Sequence, residues 1–244
     1  MQQMTKSMLD SLTTLPKLEK AEVLELLDEK ERRHKRKKLY TYYPDTGPLR
    51  RELYVKHLEF FEAGLEHRER LLLAANRVGK SEGVGGYEMV LHLLGEYPDW
   101  WTGYRFRKSV KAWAAGDTGK TVREIIQAKL LGDPGAVGTG LIPGDRIQRT
   151  TNKAGVADAI ETIYVRGKYG ISELVLKSYD QRREAFQGTE RDVIWLDEEC
   201  PLDIYAECLL RTMTTNGRIM CTFTPLMGLT DMVLQFLPGG KVPE

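Results

Sequence analysis

Few cysteines, no long apolar run and almost no net charge mark this sequence, and each shortage excludes a class of protein. Its 244 residues contain three cysteines, so a disulfide framework or a structural zinc site is not expected and a reducing compartment fits best. The longest apolar run of the early chain, residues 71–75, is too short to cross a bilayer, and residues 1–12 lack the apolar core of a signal peptide. We therefore expect no association with a membrane.

The charge balance excludes two further classes and leaves room for a folded core. The chain has 36 lysines and arginines against 35 aspartates and glutamates, a formal charge of +1. This is unlike the basic tails of chromatin proteins and unlike acidic disordered chains. Hydrophobic residues make up 41% of the chain, which is enough for one large domain or two small ones. Global charge by itself identifies no partner.

The first 45 residues differ from the rest of the chain. Apolar residues at helical spacing from Leu18 to Leu27 predict a short amphipathic helix, and a basic run at residues 29–38 follows it. That run could bind phosphates or simply form a solvated helix end. Turn-forming residues at 40–48 indicate a boundary. We predict a helical N-terminal extension over residues 1–45, a main domain over 46–236 and a linker over 237–244.

From residue 51 onward, predicted helices alternate with short apolar strands. This order is typical of an α/β fold in which helices flank a central, mostly parallel sheet. Residues 132–158, rich in glycine and proline, indicate a long loop, and two strands at 162–165 and 173–176 predict a β-hairpin insertion. The predicted helices cover 51–63, about 80–94 and 118–131, and the other predicted strands cover 71–75, 110–115, 193–196 and 219–223.

A candidate phosphate-binding loop lies between the first apolar strand and the next helix. Residues 74–81, AANRVGKS, match the P-loop pattern GxxxxGKS/T except at the first glycine, where alanine fits if its φ is negative. The loop N–H groups would bind a phosphate, Lys80 would bridge the β- and γ-phosphates, and the Ser81 hydroxyl would bind Mg²⁺. The alternative is an ordinary surface turn. The candidate ATP-binding residues are Ala75, Asn76, Arg77, Val78, Gly79, Lys80 and Ser81.

Two adjacent acids end the strand predicted at residues 193–196. Ligands of open α/β sheets bind at the carboxyl ends of the strands, where Asp197 and Glu198 stand. Asp197 would hold Mg²⁺, and Glu198 would orient and deprotonate the water that attacks the γ-phosphate. Because neighbours on a strand project to opposite sides, the two acids are expected to do different jobs. A plain turn is the alternative, and Glu199 is predicted to be a solvated acid at a helix start.

The next predicted strand ends in threonines and a proline. The hydroxyls of Thr222 and Thr224 could contact the γ-phosphate or the attacking water and report hydrolysis to the segment after Pro225. Threonine also favours strands and proline ends them, so a purely structural role is equally consistent. These three residues form a candidate coupling motif.

With these three motifs in this order, the sequence resembles the large terminase subunit of tailed bacteriophages, which packs DNA into procapsids. The resemblance rests on YYPDTGPLRRELYVKHLEFFEAG at 42–64, AANRVGKS at 74–81, KSYDQRREAFQGTERDVIWLDEECP at 177–201 and TFTPLMGLT at 222–230. It implies a P-loop NTPase fold of the ASCE or RecA-like class. It also implies ATP and Mg²⁺ as cofactors, nucleotide binding by Lys80 and Ser81, magnesium binding by Asp197, catalysis by Glu198 and coupling by residues 222–225.

Catalytic arginines are assigned only through this resemblance. Terminase P-loops commonly carry an arginine that senses or stabilises the γ-phosphate. Its usual position is Asn76 in this sequence, whereas the arginine is Arg77, one residue later. The family is also thought to use an arginine from a neighbouring subunit, for which Arg182 and Arg183 are the candidates and Arg211 a weaker one. Each of these arginines could equally be an ordinary surface residue.

The adenine-binding residues are the least defined part of the site. Residues 49–63 lack the glutamine that often precedes the P-loop in this family. Tyr54 could stack on the base, and His57 could form a hydrogen bond to it. An amphipathic core stripe made by Tyr54, Leu58 and Phe61 is the favoured alternative.

The resemblance predicts an ATP-hydrolysing motor domain that translocates double-stranded DNA through sequence-independent phosphate contacts. Its expected partners are the portal protein, the small terminase subunit and further copies in a ring, all in the host cytoplasm. Family members also carry a C-terminal nuclease with an acidic cluster that this chain lacks, so we expect no DNA cleavage from it. The alternatives are a helicase-like P-loop ATPase and a module in which the nucleotide only switches assembly.

Overall fold

The computed structural model describes residues 37–237 and, before them, four isolated positions at 21, 23, 25 and 26. Those four positions are helical. The rest of the helix predicted from Leu18 to Leu27, the basic run up to residue 36 and residues 238–244 lie outside the described part of the chain. The division at residue 45 stays a prediction. Leu39 and Tyr43, on the N-terminal side of it, are buried in the same core as the main domain.

Seven strands form one sheet at the centre of the fold. They are β1 (Glu69–Leu73), β2 (Lys111–Gly116), β3 (Ile147–Asn152), β4 (Ile160–Gly167), β5 (Gly170–Ser178), β6 (Val193–Asp197) and β7 (Arg218–Phe223). Their spatial order is β1-β7-β6-β2-β5-β4-β3. The first five in that order pair in parallel, whereas β4 is antiparallel to both β5 and β3. The sheet therefore has a parallel half, β1, β7, β6 and β2, and an antiparallel half, β5, β4 and β3.

Helices cover both faces of this sheet. They are α1 (Val55–Ala63); α2, which is π-helical over Lys80–Gly86 and α-helical over Tyr87–Leu94; α3, with the segments Gly119–Thr121, Val122–Gln127 and Ala128–Leu131; α4 (Leu202–Met213); and α5 (Asp231–Leu234). Short 3₁₀ turns occupy Lys38–Thr41, Arg51–Leu53, Gly144–Arg146, Tyr179–Gln181 and Arg183–Phe186. None of the helices in the described residues is both long and apolar enough to cross a membrane.

Capping residues define where α3 begins and where α2 ends. Thr118 Oγ1 accepts a hydrogen bond from the Thr121 N–H at 3.2 Å, and Thr121 Oγ1 accepts one from the Thr118 N–H at 2.9 Å. Two N–H groups without intrahelical partners are thereby satisfied. Gly95 ends α2 in a left-handed conformation with φ 63°, which glycine adopts at little cost. The helix start predicted after residue 118 is confirmed.

The two faces of β6 pack into two separate cores. Val193 and Trp195 belong to the core under α2 and α3, whereas Ile194 and Leu196 belong to the core under α4 and α5. This alternation follows from the extended backbone of a strand. All residues of β6 and β7 are buried, so the prediction of two central strands is confirmed. Their uninterrupted apolar runs reflect a sheet covered on both faces.

Helix α2 approaches β6 very closely. A Cβ atom built on Gly85 would lie 2.1 Å from Trp195 Nε1, so only glycine allows helix and strand to come this near. The indole N–H of Trp195 donates to Thr222 Oγ1 on β7 at 2.8 Å. These contacts hold the first turns of α2 against the two central strands.

Three sequence predictions need correction. Residues 132–158 are not one long loop, because β3 occupies Ile147–Asn152 as an edge strand that mixes partly buried and exposed polar residues. The predicted hairpin is present as β4 and β5, but β5 pairs in parallel with β2 and so continues the main sheet. The helix predicted at 51–63 is interrupted at Tyr54, and the strand predicted at 71–75 begins at Glu69 and ends at Leu73.

Candidate nucleotide-binding site

The predicted phosphate loop connects β1 to α2. The N–H of Ala74 donates to the Phe223 carbonyl at 3.3 Å, which attaches the start of the loop to β7. Positive φ angles occur at Arg77 (66°) and Gly79 (85°) but not at Ala74, so the condition for an alanine in place of the first glycine is met. A left-handed arginine costs about 1 kcal/mol or more, and such strain is concentrated at functional sites.

The loop forms an exposed rim beside a buried lysine. Residues 75–79 are exposed, whereas Lys80, the first residue of α2, is only 6% exposed. Its Nζ lies 3.5 Å from Asn76 Oδ1, at the outer limit for a hydrogen bond. Because α2 begins here, its N-terminal N–H groups and the positive end of its dipole lie at the loop. Backbone and side chain thus provide positive charge at the same place.

Asp197 ends β6 directly beside the start of α2. Its Oδ1 accepts a hydrogen bond from Thr222 Oγ1 at 2.8 Å, and the carboxyl group also receives one from the Ser81 side chain. Burial raises the pKa of Asp197 to about 6, against the two hydroxyl bonds and the positive charge of Lys80, which lower it. The predicted meeting of Ser81 with Asp197 is therefore present in the fold.

The oxygen groups at this place fit Mg²⁺. A buried carboxylate without a cationic partner is costly, and Asp197, 3% exposed, forms no ion pair among the described residues. Carboxylate and hydroxyl oxygens are ligands that Mg²⁺ prefers. The described residues contain no group of three or more His, Cys, Asp or Glu side chains arranged for a metal ion. Asp197 and Ser81 would therefore share the ion with water and phosphate oxygens.

Glu198 follows β6 in a strained turn. Its φ is 65°, and its N–H donates to the Thr222 carbonyl at 3.0 Å. The Tyr179 hydroxyl lies 3.0 Å from the Asp197 carbonyl oxygen and 3.3 Å from that of Glu198. These bonds hold the left-handed turn in place. The alternation of side chains expected for two neighbours on a strand therefore does not apply to Glu198.

Glu199 is not a solvated acid at a helix start, so this prediction is wrong. Helix α4 begins only at Leu202, and Glu199 Oε1 accepts a hydrogen bond from the Thr230 hydroxyl. Thr230 is the N-cap of α5. The residue after Glu198 thus connects the end of β6 to the segment that follows the predicted coupling motif.

The two coupling threonines contact both parts of the site. Thr222 Oγ1 is the donor to Asp197. Thr224 Oγ1 lies 2.9 Å from the Ala74 carbonyl oxygen and 2.9 Å from Asn76 Oδ1, and its single proton serves one of them. Strand β7, which lies between β1 and β6, thereby connects the phosphate loop to the strand that carries the acids.

Pro225 begins an exposed apolar loop. Three of the four side chains in residues 226–229 are leucine or methionine and are more than half exposed. One end of this loop is held by Thr224 at the phosphate loop, and the other end by Thr230 at Glu199. A displacement at either side of the nucleotide site would therefore be passed to the loop.

Comparison with known families assigns the chain. A family model described as "Terminase large subunit, T4likevirus-type, N-terminal" matches residues 71–241, a span that includes the phosphate loop, both acids and the coupling motif. The chain belongs to the terminase large subunit family. This confirms the family predicted from the ordered motifs. The insertion of β7 between β1 and β6 is the strand order of the ASCE class of P-loop NTPases, which confirms the predicted fold class.

Individual terminases are similar over different spans. The large terminase subunit of Salmonella phage P22 is 34% identical over 205 residues, which cover 75% of this chain and 41% of the relative. A variant of the large terminase ATPase domain of Thermus phage P74-26 is 19% identical with a TM-score of 0.49, covering 76% of this chain and 73% of that one. The large terminase of another thermophilic bacteriophage, in complex with ADP, is 13% identical with a TM-score of 0.42, covering 78% of this chain and 38% of that one.

The terminase arginine candidates differ in what they contact. Arg183 Nε lies 3.2 Å from one carboxylate oxygen of buried Glu207, and Arg211 lies 2.9 Å from the other. Arg182 is exposed with φ 61°, and its guanidinium has no hydrogen bond or ion pair within residues 37–237. Arg77 is likewise exposed, on the rim of the loop. Of the two leading candidates for a second active site, only Arg182 has a guanidinium without a partner among the described residues of its own chain.

The residues proposed for adenine face the phosphate loop instead of an open base site. His57 Nε2 lies 3.1 Å from the Val78 carbonyl oxygen, and Nδ1 lies 2.8 Å from the Tyr43 hydroxyl. Burial lowers the pKa of His57. The ring of Tyr54 packs 5.4 Å from that of His57, and Phe61 is buried on the same side of α1. The core stripe therefore describes this helix better than base recognition does.

Sequence reasoning missed the residues that support the site from behind. Tyr43 donates to the Gly83 carbonyl in α2, Tyr179 donates at the acidic turn, and Trp195 donates to Thr222. The partners are 40, 18 and 27 positions apart along the chain. No local spacing pattern can indicate contacts between elements that are so far apart in sequence.

Proposed function

We propose that this chain is the ATP-hydrolysing domain of a DNA-packaging motor of a tailed bacteriophage. The observation that carries the proposal is the hydrogen bond between Ser81, at the start of α2, and Asp197, at the end of β6. It brings two oxygen ligands for Mg²⁺ to a loop that is built to bind phosphate. A nucleoside triphosphate needs both of these features in one place.

In the proposed reaction, water attacks the γ-phosphorus of ATP, and ADP and phosphate leave. The N–H groups of residues 77–81 bind the β-phosphate, and Lys80 offsets the charge between the β- and γ-phosphates. Ser81 and Asp197 hold Mg²⁺, which supplies charge neutralisation when bound. Glu198 orients the attacking water and accepts its proton. The left-handed turn at Glu198 sets this carboxyl group apart from the buried one that holds the metal.

The arginine supplied to a neighbouring subunit is Arg182 in this proposal. Arg183 and Arg211 are both paired with Glu207, and leaving would expose a buried carboxylate without its partners. Arg182 follows Tyr179, whose hydroxyl contacts the acidic turn, so it lies on the loop next to the nucleotide site. Its exposed guanidinium could neutralise charge on a phosphate of the next subunit. Arg77 would act within its own loop.

Hydrolysis is transmitted, in this proposal, through β7. Thr222 and Thr224 contact Asp197 and Asn76, so a change in either group alters the strand end and the exposed loop at residues 226–229. The work delivered is translocation of double-stranded DNA. The other parts of the proposal are a ring of copies on the portal protein, assembly with the small terminase subunit and action in the host cytoplasm. Nuclease activity is assigned to another part of the family's full-length proteins.

Two other functions use the same geometry and are separated by experiment. In a nucleotide switch, ATP would bind and control assembly without being hydrolysed by Glu198. In a helicase-like ATPase, hydrolysis would separate strands. The link from Thr224 to the phosphate loop is equally compatible with both, so activity measurements decide.

The deciding experiment measures phosphate release and nucleotide binding for the wild type, Lys80→Ala and Glu198→Gln. We expect Lys80→Ala to lose binding of ATP. We expect Glu198→Gln to bind ATP as the wild type does but to release phosphate at least about 100-fold more slowly, since general-base catalysis contributes about 10² to 10⁴. Equal phosphate release by all three proteins would contradict the proposal. Binding without any hydrolysis would favour the switch.

The trans arginine is tested at high protein concentration, where copies associate. Arg182→Ala should remove any increase of specific activity with concentration and leave ATP affinity unchanged. Arg183→Ala is the matched control, one residue along the chain, and should reduce stability through Glu207 before it affects that increase. If Arg183→Ala and not Arg182→Ala removes the increase, the assignment is wrong.

A further inference from the structure

His57 lies behind the phosphate loop, and both of its ring nitrogens have partners. Nε2 lies 3.1 Å from the Val78 carbonyl oxygen, and Nδ1 lies 2.8 Å from the Tyr43 hydroxyl. That hydroxyl lies 2.6 Å from the Gly83 carbonyl oxygen. We call Tyr43 and His57 the brace. It connects the segment before α1, the helix α1, the phosphate loop and the start of α2.

The bond to Val78 determines where the next amide points. The described residues contain no cis peptide bond, and in a trans peptide the C=O and the following N–H point in opposite directions. A Val78 carbonyl held toward buried His57 therefore turns the Gly79 N–H to the opposite, exposed side of the loop. An anion bound by the loop approaches from that side.

The imidazole touches the loop backbone directly. A Cβ atom built on Gly79 would lie 3.4 Å from His57 Cε1, and one built on Gly83 would lie 3.2 Å from the Tyr43 hydroxyl. Gly79 itself has φ 85°, a conformation that side chains rarely adopt. The brace thus packs against the two glycines at the start of α2, which leaves the loop little freedom to rotate.

Tyr43 fixes the position of the histidine proton. Burial lowers the pKa of His57, so the ring is neutral and carries one N–H. The Val78 carbonyl can only accept, which places this proton on Nε2 and leaves Nδ1 to accept from the Tyr43 hydroxyl. The single Tyr43 proton is shared between Nδ1 and the Gly83 carbonyl. The tautomer that holds Val78 is the one that Tyr43 requires.

We propose that His57, held by Tyr43, is a positioning residue that directs the Gly79 N–H at the phosphates of the bound nucleotide. The inference rests on the proposed function, because it presumes that this loop binds a nucleotide. It differs from base recognition in that the brace acts on phosphate affinity whichever base is present.

The test uses two probes, Mg²⁺–ATP and Mg²⁺–tripolyphosphate, which has the phosphates without a base. His57→Leu removes the donor and keeps an apolar side chain, whereas His57→Gln places an amide N–H near the position of Nε2. We expect His57→Leu to bind both probes about tenfold more weakly, the loss of about one hydrogen bond. His57→Gln should remain within about threefold of the wild type, and Tyr43→Phe should weaken both probes about threefold.

Kinetics separate positioning from a general structural defect. The Gly79 amide binds the phosphate before and during the reaction, so KM should rise about tenfold in His57→Leu while kcat stays within about twofold. Urea midpoints for all variants identify loss of folding. If His57→Leu misfolds, Tyr43→Phe and His57→Gln, which preserve ring or chain volume, still give the comparison.

Each outcome has a defined meaning. Weaker ATP binding with unchanged tripolyphosphate binding in His57→Leu overturns the proposal in favour of contact with the base. Unchanged binding of both probes in His57→Leu also overturns it. If the wild type binds neither probe, the proposed function itself fails, which is distinct from a wild type that binds both while the variants match it.

Discussion

The parallel and antiparallel halves of the sheet differ in what their strand ends can build. In the parallel half, β1, β6 and β7 all end at one edge, and the phosphate loop, Asp197 and Thr222 meet there. In the antiparallel half, β3 and β4 run in opposite directions, so their ends lie at opposite edges. None of the predicted site residues lies on β3 or β4. Convergence of strand ends, which parallel pairing alone provides, is what makes this site possible.

The halves also differ in burial, and the largest expected effect tests this difference. Gly85→Ala in α2 would place a Cβ 2.1 Å from the Trp195 indole, so the helix must move off β6. We expect a loss of about 3 kcal/mol in the free energy of unfolding, the upper range for overpacking. Gly155→Ala, between β3 and β4, meets no atom within 4 Å but has φ 74°, and should lose about 1 kcal/mol.

Urea denaturation of the two alanine variants checks this ordering. Equal losses would mean that the central strands are no more tightly packed than the edge, and that the approach of α2 to β6 is softer than its distances indicate. A loss at Gly155 larger than that at Gly85 would reverse the comparison.

The second prediction compares an acid at the end of β6 with one that follows β5. Burial raises the pKa of Asp197 to about 6 from the usual value of 3.8, so its ionised form destabilises the fold at neutral pH. Asp197→Asn should therefore raise the free energy of unfolding at pH 7 by about 2 to 3 kcal/mol, at 1.36 kcal/mol per pKa unit. Hydrogen bonding from Ser178 lowers the pKa of Asp180, so Asp180→Asn should lower stability slightly.

The two effects have opposite pH dependence. A raised pKa in the folded state means that protonated Asp197 is favoured, so the advantage of Asp197→Asn should be present above about pH 6 and disappear as pH falls toward 4. The stability due to Asp180 is present above its unfolded pKa and is lost as pH falls through the lower folded value. Unfolding at several pH values in the absence of Mg²⁺ and nucleotide measures both. A gain that persists at pH 4 would contradict the burial explanation.

The third prediction concerns threonine hydroxyls. Thr222→Val leaves the Trp195 N–H and the Asp197 carboxyl without a partner inside the core, which should cost about 1 to 2 kcal/mol. It should also slow ATP hydrolysis, because the metal-binding carboxyl loses a bond that orients it. Thr162→Val on β4 is the matched control: Thr162 is buried, but its hydroxyl has no hydrogen bond among the described residues, and we expect no loss. Chemical denaturation and phosphate release measure the two effects.

The smallest expected effect lies on the exposed side of the antiparallel half. Arg149 stands over the ring of Tyr164 at 4.0 Å, a contact worth about 0.5 to 1 kcal/mol at an exposed site. Arg149→Gln should lower stability by no more than that and leave ATP hydrolysis unchanged. Loss of hydrolysis in Arg149→Gln would show that the antiparallel half contributes to the reaction, which would remove the contrast between the two halves.

The parts of the fold that could be predicted are those with a local signal. The apolar runs of β6 and β7 indicate central strands because both of their faces are covered. The motif at residues 74–81 indicates a loop between a strand and a helix because phosphate binding restricts residue type at fixed spacing. Strand β3 was missed because an edge strand needs no apolar run, and its pairing with β4 depends on backbone bonds that any sequence can make.

The site was predicted less evenly. Asp197, Ser81 and Thr222 were identified from their motifs, and the fold brings them together. The turn at Glu198, the bond from Thr230 to Glu199 and the contacts of His57 with the loop were not predicted. Each depends on a backbone conformation or on a partner far along the chain, for which a single sequence holds no spacing signal.

The sequence by itself determined which chemical groups are available and in what order: a glycine–lysine–serine loop after one apolar strand, two acids after another and threonines after a third. These are properties of residue type and local periodicity, so they can be read along the chain. Only the tertiary structure decided that β7 lies between β1 and β6, that burial raises the pKa of Asp197, and that His57 supports the loop from behind. These depend on distances across the fold, which arise from packing and not from spacing in the sequence.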